Sequence, residues 1–120
     1  MKIIDAITRI DSLIFNTYTQ QDKIGWLSDV DWDVVRNVMK CKHTKFQGYG
    51  SDTDLQTELL IPAPYDKAYL LWMEAQIHYY NAEYDRYNNA IVMFNKQFSE
   101  FAAFWNREHR TGIFGNRFRF

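Results

Sequence analysis

This chain of 120 residues has only one cysteine. Residues that break regular structure are also scarce, with two prolines and five glycines. A lone cysteine excludes an intrachain disulfide, argues against a cysteine-based zinc site and fits a reducing compartment. So few prolines and glycines argue against a loop-rich or sandwich fold. The length predicts a single domain with one core.

A charge excess of one sign and a long apolar run are also missing. The formal net charge is −1, so no overall basic field attracts nucleic acid or an anionic membrane. There is no apolar run of roughly 18 residues that would predict a spanning helix. Charged residues interrupt the apolar pattern of the first 15 residues, which does not suit a signal peptide. The expected place of synthesis is the cytosol.

Aromatic residues are abundant, at 18% of the chain. Nine of the 21 recur at three- and four-residue steps with alanine and isoleucine, which predicts two helices that pack through large side chains. The first stripe, over residues 65–82, comprises Tyr65, Ala68, Tyr69, Trp72, Ala75, Tyr79 and Ala82. The second stripe, over residues 87–105, comprises Tyr87, Ile91, Phe94, Phe98, Phe101 and Trp105.

Two more helices are predicted in the first third of the chain. An isoleucine stripe indicates a helix over residues 2–15. Thr19 and Asp22 have the spacing of a capping box, which predicts a second helix from residue 20 to about residue 39. This helix is either continuous or interrupted, with a fresh helix capped by Asp31.

The predicted fold is mainly α: a small bundle of three to four helices with a long central loop and an extended C-terminal tail. The bundle occupies residues 1–110. The loop, at about 40–64, has turn formers and two prolines but no helical stripe. Thr111 and Gly112 are expected to end the last helix, leaving residues 111–120 as an extended arm.

No arrangement typical of an enzyme or a metal site stands out. Cys41 and His43 lie among lysines that would lower a thiol pKa, but a C-x-H pair is not specific and is more typical of a cysteine in a basic loop. Glu74 and His78 share a helix face without the repeated Glu-x-x-His motif of di-metal bundles. The alternating aspartates at 29–33 and 52–54 lack the EF-hand pattern and are expected on a solvated face or as caps. The sequence predicts no catalytic residue, cofactor or metal.

Two segments are typical of binding to partners. The basic central loop offers possible contacts to nucleic acid, or to an acidic protein, through lysines and two aromatic rings. The C-terminal tail combines phenylalanine with arginine, both favoured at interfaces, and is expected either to order on a partner or to fold back on its own bundle. The loop candidates are Lys40, Lys42, Lys45, Phe46 and Tyr49, and the tail candidates are Ile113, Phe114, Arg117, Phe118, Arg119 and Phe120.

Several strings of the sequence resemble a family of small helical proteins from the structural gene clusters of tailed bacteriophages. This family is similar to the head–tail connectors, which are also called adaptor or head-completion proteins. The resemblance covers residues 10–109. The strings are WLS at 26–28, LLIPAPYDKAY at 59–69, EYDRYNNA at 83–90, MFN at 93–95 and WNREH at 105–109.

The resemblance implies a structural protein and no catalysis. Connectors of this kind form a ring, commonly of twelve copies, beneath the portal protein in the neck of the virion, and they assemble in the bacterial cytoplasm. The ring extends the DNA channel without sequence recognition and docks the next neck or tail-completion protein. A terminal arm grips the portal, and residues 111–120 are the matching candidate for binding the portal or a neighbouring copy. The alternative is a small helical nucleic-acid-binding or regulatory module of phage origin.

Overall fold

The computed structural model describes residues 1–40 and 46–117, with side chains described as far as residue 109. Over these residues the chain folds as a small, mainly helical bundle, which confirms the predicted fold class. A π-helical turn, Val34–Val38, continues the second helix. The four α-helices in this part of the chain are α1 Ile3–Leu13, α2 Gln20–Asp33, α3 Lys67–Tyr80 and α4 Tyr84–Arg117.

The capping box at the start of α2 forms as predicted. The Asp22 N–H donates to Thr19 Oγ1 at 3.1 Å, and the Thr19 N–H donates to Asp22 Oδ2 at 3.2 Å. The helix then runs through Asp31 without interruption and widens into the π-turn. The alternative of a fresh helix capped by Asp31 is therefore wrong, because Asp31 lies inside α2 and is fully buried.

The central segment, defined here as residues 46–66, forms no regular element but is held against α1. The Ile3 N–H donates to Thr57 O at 3.0 Å, and the Ile4 N–H donates to Leu55 O at 3.0 Å. These carbonyls pair with amides that the first turn of a helix leaves without partners inside the helix. The predicted central loop is thus an ordered part of the fold where it is described.

α3 and α4 pack against each other through the predicted aromatic stripes. Tyr69 and Phe101 are fully buried, and the rings of Trp72 and Phe94 lie 5.0 Å apart between centroids. Tyr79, which the first stripe predicted in the core, is instead 46% exposed. It lies in the last turn of α3, beyond the face that the rest of the bundle covers.

A short turn reverses the chain between α3 and α4. The Glu83 N–H donates to His78 O at 2.8 Å and the Ala82 N–H donates to Tyr79 O at 3.0 Å, the hydrogen-bond pattern of a Schellman motif. Ala82, which the stripe also predicted in the core, is exposed and has φ of +62°. Asn88 and Asn89 lie inside α4.

α4 continues to Arg117, so the predicted end of this helix at Thr111 and Gly112 is wrong. Gly112 and Gly115 lie inside this stretch. Each costs about 1 kcal/mol in a helix interior, and no proline follows to stop the helix. The backbone of 111–117 is helical rather than extended, while residues 118–120 lie outside the described residues. At about 1.5 Å per residue, 34 residues span about 51 Å, close to the longest dimension of the molecule, 55 Å.

Candidate functional site

The basic loop is described only in part. Cys41, Lys42, His43 and Lys45 lie outside the described residues. Lys40 is exposed and has φ of +49°. The predicted Cys41–His43 pair and most of the basic loop therefore lie outside the described residues.

The two aromatic candidates of the loop pack against their own chain. The ring of Phe46 lies 4.9 Å from Trp32 and 5.1 Å from Tyr49, in edge-to-face geometry. The Arg36 guanidinium lies 5.8 Å from the centre of the Trp32 ring. These contacts attach the start of the central segment to α2, so both rings have a structural use in the free protein.

Tyr49 also takes part in a buried network around Asp31. The Tyr49 hydroxyl donates to Asp31 Oδ2 at 2.5 Å, and the Tyr69 hydroxyl donates to Oδ1 at 2.6 Å. The Leu60 N–H donates to Oδ2 at 3.2 Å, and the Ile61 N–H donates to the Tyr69 hydroxyl at 2.7 Å. The network joins α2, the central segment and α3. The prediction that Asp31 lies on a solvated face is therefore wrong.

Burial raises the pKa of Asp31 above its ordinary value, although the hydrogen bonds from Tyr49, Tyr69 and Leu60 act in the opposite direction. Burial and the adjacent Asp31 carboxylate raise the pKa of both tyrosines far above the usual range. Both tyrosines therefore stay protonated and donate to Asp31. Because the Asp31 carboxylate and both tyrosine hydroxyls have hydrogen-bond partners within the chain, the role of the network is structural.

A signal for Asp31 is present in the sequence. Ile24, Leu27, Asp31, Val34 and Val38 follow one another at steps of three and four residues, which places Asp31 on the inner face of α2. An acid on a buried stripe requires hydrogen-bond donors. Asp29 and Asp33, two residues away on either side, do not lie on this stripe.

Glu74 and His78 do share a face, as predicted, and a second carboxylate joins them. His78 Nε2 lies 3.6 Å from Glu74 Oε2, and His78 Nδ1 lies 2.8 Å from Glu83 Oε1. The hydrogen bond with His78 lowers the pKa of Glu83 below its usual value. Arg86 lies 3.7 Å from the same carboxylate.

These polar side chains border a groove of about 710 Å³ at one end of the bundle. On the opposite side the groove is lined by the last residues of α1 and those that follow. Leu13 there is 60% exposed and Phe15 is 90% exposed. The groove, called the corner groove below, is lined by Leu13, Ile14, Phe15, Glu74, His78, Asn81, Glu83, Arg86 and Asn89.

An aromatic patch adjoins the corner groove. The Tyr18 hydroxyl donates to Oδ1 of Asn81, a groove residue, at 2.6 Å. The Tyr18 ring lies 5.6 Å from Trp26 and 6.2 Å from Tyr80, and Tyr80 is 60% exposed. Tyr84 at the start of α4 is 58% exposed. The end of the bundle at the α3–α4 turn thus presents a broad apolar surface beside charged groups.

The described part of the chain holds no cluster of metal-binding side chains. Among residues 1–40 and 46–117, no three His, Cys, Asp or Glu side chains converge as metal ligands. No helix within the same residues is long and apolar enough to cross a membrane. The side chains of the tail candidates Ile113, Phe114 and Arg117 are outside the described set, as are residues 118–120.

Comparisons with known proteins do not assign the chain to a family. It matches no protein-family model, no curated protein and no solved structure. The corner groove and the aromatic patch are therefore interpreted from their own chemistry.

Proposed function

We propose that the chain is a structural protein of a tailed-bacteriophage virion, a head–tail adaptor that forms an oligomeric ring under the portal protein. In this role it extends the DNA channel and docks the next neck or tail-completion protein. The observation that carries the proposal is a helical body with large apolar side chains left uncovered at one end. The sequence resemblance to connector proteins gives this surface its proposed partners.

The uncovered apolar side chains support a function in assembly. Isolated exposed apolar residues are ordinary, whereas a cluster beside charged groups is typical of a protein interface. Val92 and Met93 add two more exposed apolar side chains on α4, at 65% and 49% exposure. The buried Asp31 network and the paired aromatic stripes stiffen the body, which lowers the entropy cost of binding.

The alternative, a nucleic-acid-binding module centred on residues 36–45, has less support. Base stacking requires accessible aromatic faces, but Phe46 and Tyr49 pack against α2 and against each other. The Tyr49 hydroxyl is also bound to Asp31. The net charge of −1 gives no overall attraction to phosphate.

Coexpression with the portal protein from the same genome tests the proposed function. We expect the two proteins to copurify as one large particle, with additional density in the form of a ring on the portal by electron microscopy. Coexpression with the major capsid protein of that genome is the control and should give no such particle. Failure to associate with the portal, in any order of assembly, would contradict the proposal.

The alternative function makes a different prediction in solution. A nucleic-acid-binding module would bind DNA with an affinity that falls steeply as the salt concentration rises. Replacement of Lys40, Lys42 and Lys45 by glutamine would remove that binding. An adaptor that only surrounds DNA in a channel is expected to show neither effect as a free protein.

A further inference from the structure

We propose that the corner groove is the binding site for the C-terminal segment of a second copy of this chain, residues 113–120. The contact joins one end of each molecule to the opposite end of the next. This inference rests on the proposed ring-forming function and names one of its partners, the neighbouring subunit.

The chemistry of the groove defines what it can accept. One wall offers Leu13 and Phe15, which are uncovered in the free chain. The other wall offers the carboxylates of Glu74 and Glu83, each 40% exposed, beside the single guanidinium of Arg86. A matching ligand therefore carries apolar or aromatic groups together with positive charge.

The C-terminal segment has this composition. Residues 113–120 read IFGNRFRF, with one isoleucine, three phenylalanines and two arginines but no acidic side chain. Arginine pairs with carboxylates through several donors, and phenylalanine fills apolar grooves. The segment therefore matches the groove in charge and in apolar character.

The segment cannot occupy the groove of its own chain. Asn89 is the last groove residue on α4, and α4 continues for 28 more residues to Arg117. At about 1.5 Å per residue those positions are about 42 Å apart along the helix. The three residues after Arg117 span at most about 11 Å even when fully extended. An occupant with this sequence must come from another molecule.

A contact between opposite ends is heterologous, because the two surfaces that meet are different. Such contacts generate a closed ring when the rotation closes and an open filament when it does not. The exposed side chains of 106–109 on α4 are consistent with a helix end that leaves its own bundle. Each copy has one groove and one C-terminal segment. In a closed ring every groove is therefore occupied and every segment is bound.

Binding of a labelled peptide tests the groove directly. A fluorescent peptide of residues 111–120 is titrated with the full chain, and its anisotropy is measured. We expect saturable binding that Phe15→Ser weakens by about tenfold or more and that added salt also weakens. Asn95→Ser is the control, since Asn95 is exposed on α4 and outside the groove. A peptide with both arginines replaced by glutamate should not bind.

Sedimentation velocity tests the end-to-end arrangement in the full chain. Phe15→Ser removes the groove contact, and the pair Arg117→Glu with Arg119→Glu removes the segment contact. We expect each variant alone to be monomeric. A mixture of the two should form dimers and nothing larger, because only one groove and one segment remain competent.

Two outcomes would overturn the inference. The first is a peptide that does not bind, or that binds the wild type and Phe15→Ser equally. The second is a mixture of variants that forms the same assemblies as the wild type. Failure of this inference is distinguishable from failure of the proposed function. If Phe15→Ser forms a portal complex of unchanged size, the groove contact is excluded, but the adaptor function is not.

Discussion

The Asp31 side chain connects three parts of the fold: α2, the central segment and α3. It is fully buried and accepts hydrogen bonds from Tyr49, Leu60 and Tyr69. A buried acceptor of this kind contributes little net energy while its partners are present, but its removal leaves several buried donors without partners. The network therefore acts mainly by giving one arrangement of the central segment a lower free energy than the alternatives, in which buried donors would lack partners.

Replacement of Asp31 tests this reasoning. Asp31→Ala leaves three donors unpaired and should lower the free energy of unfolding by roughly 3 kcal/mol or more. Asp31→Asn keeps one acceptor and should cost less. Chemical denaturation with tyrosine and tryptophan fluorescence measures both. A loss below about 1 kcal/mol for alanine would show that water replaces the carboxylate.

The pH dependence of the same position has a defined sign. Because burial raises the pKa of Asp31 above 3.8, the native state binds this proton more tightly than the unfolded chain does. The contribution of Asp31 to stability is therefore largest below pH 3.8 and decreases as the pH rises through the raised pKa. We expect the stability of the wild type relative to Asp31→Asn to fall over that range.

Gly48 is the second residue whose identity the fold requires. It has φ of +86°, and an added Cβ would lie 2.9 Å from Trp32 Nε1 and 3.0 Å from Ser28 Oγ. Gly48→Ala should cost about 1–3 kcal/mol. Gly50→Ala is the matched control, since a Cβ there meets nothing within 4 Å, and its effect should be small. Equal effects of the two substitutions in thermal denaturation would contradict the assignment.

At the scale of elements, the α3–α4 turn contains a residue that can be improved. Ala82 occupies the left-handed position of the Schellman motif, where glycine is preferred. Ala82→Gly should raise the free energy of unfolding by about 1 kcal/mol. Ala103→Gly, at an exposed position inside α4, should lower it by a similar amount. If Ala82→Gly destabilised the protein as Ala103→Gly does, Ala82 would not be in the left-handed conformation.

The helices themselves could be predicted because each has a local pattern. Spacing predicted both aromatic stripes, and Thr19 with Asp22 predicted the start of α2. The end of α4 could not be predicted, because the cost of Gly112 and Gly115, about 1 kcal/mol each, is too small to decide by itself where a long helix stops. The positions of Tyr79 and Ala82 depended on where α3 ends, which helical spacing does not determine.

At the scale of the whole molecule, α4 determines the shape. The radius of gyration is 15.8 Å, whereas a compact domain of this length has about 13.6 Å. Truncation after Glu108 should bring the value measured by small-angle X-ray scattering closer to the compact one. Gly112→Ala in the full chain is the control, and it should leave the radius unchanged. An unchanged radius after truncation would mean that the end of α4 folds back.

The corner groove could not be predicted, because its walls are far apart in the sequence. Phe15 lies off the isoleucine stripe of α1, and nothing local distinguishes it from a core residue. Glu83 comes near His78 only because the chain reverses at Ala82. The charge and aromatic content of the C-terminal segment were visible in the sequence, but the surface that they complement required the tertiary structure.

The Asp31 network has a consequence for how the molecule opens. The amides of Leu60 and Ile61 lie in a segment without regular secondary structure, yet they donate to Asp31 and to the Tyr69 hydroxyl. We expect exchange of these amides with solvent deuterium to require loss of the network that joins α2 to α3. They should therefore exchange as slowly as amides in the middle of α3, and they would report the opening of the entire core rather than motion of a loop.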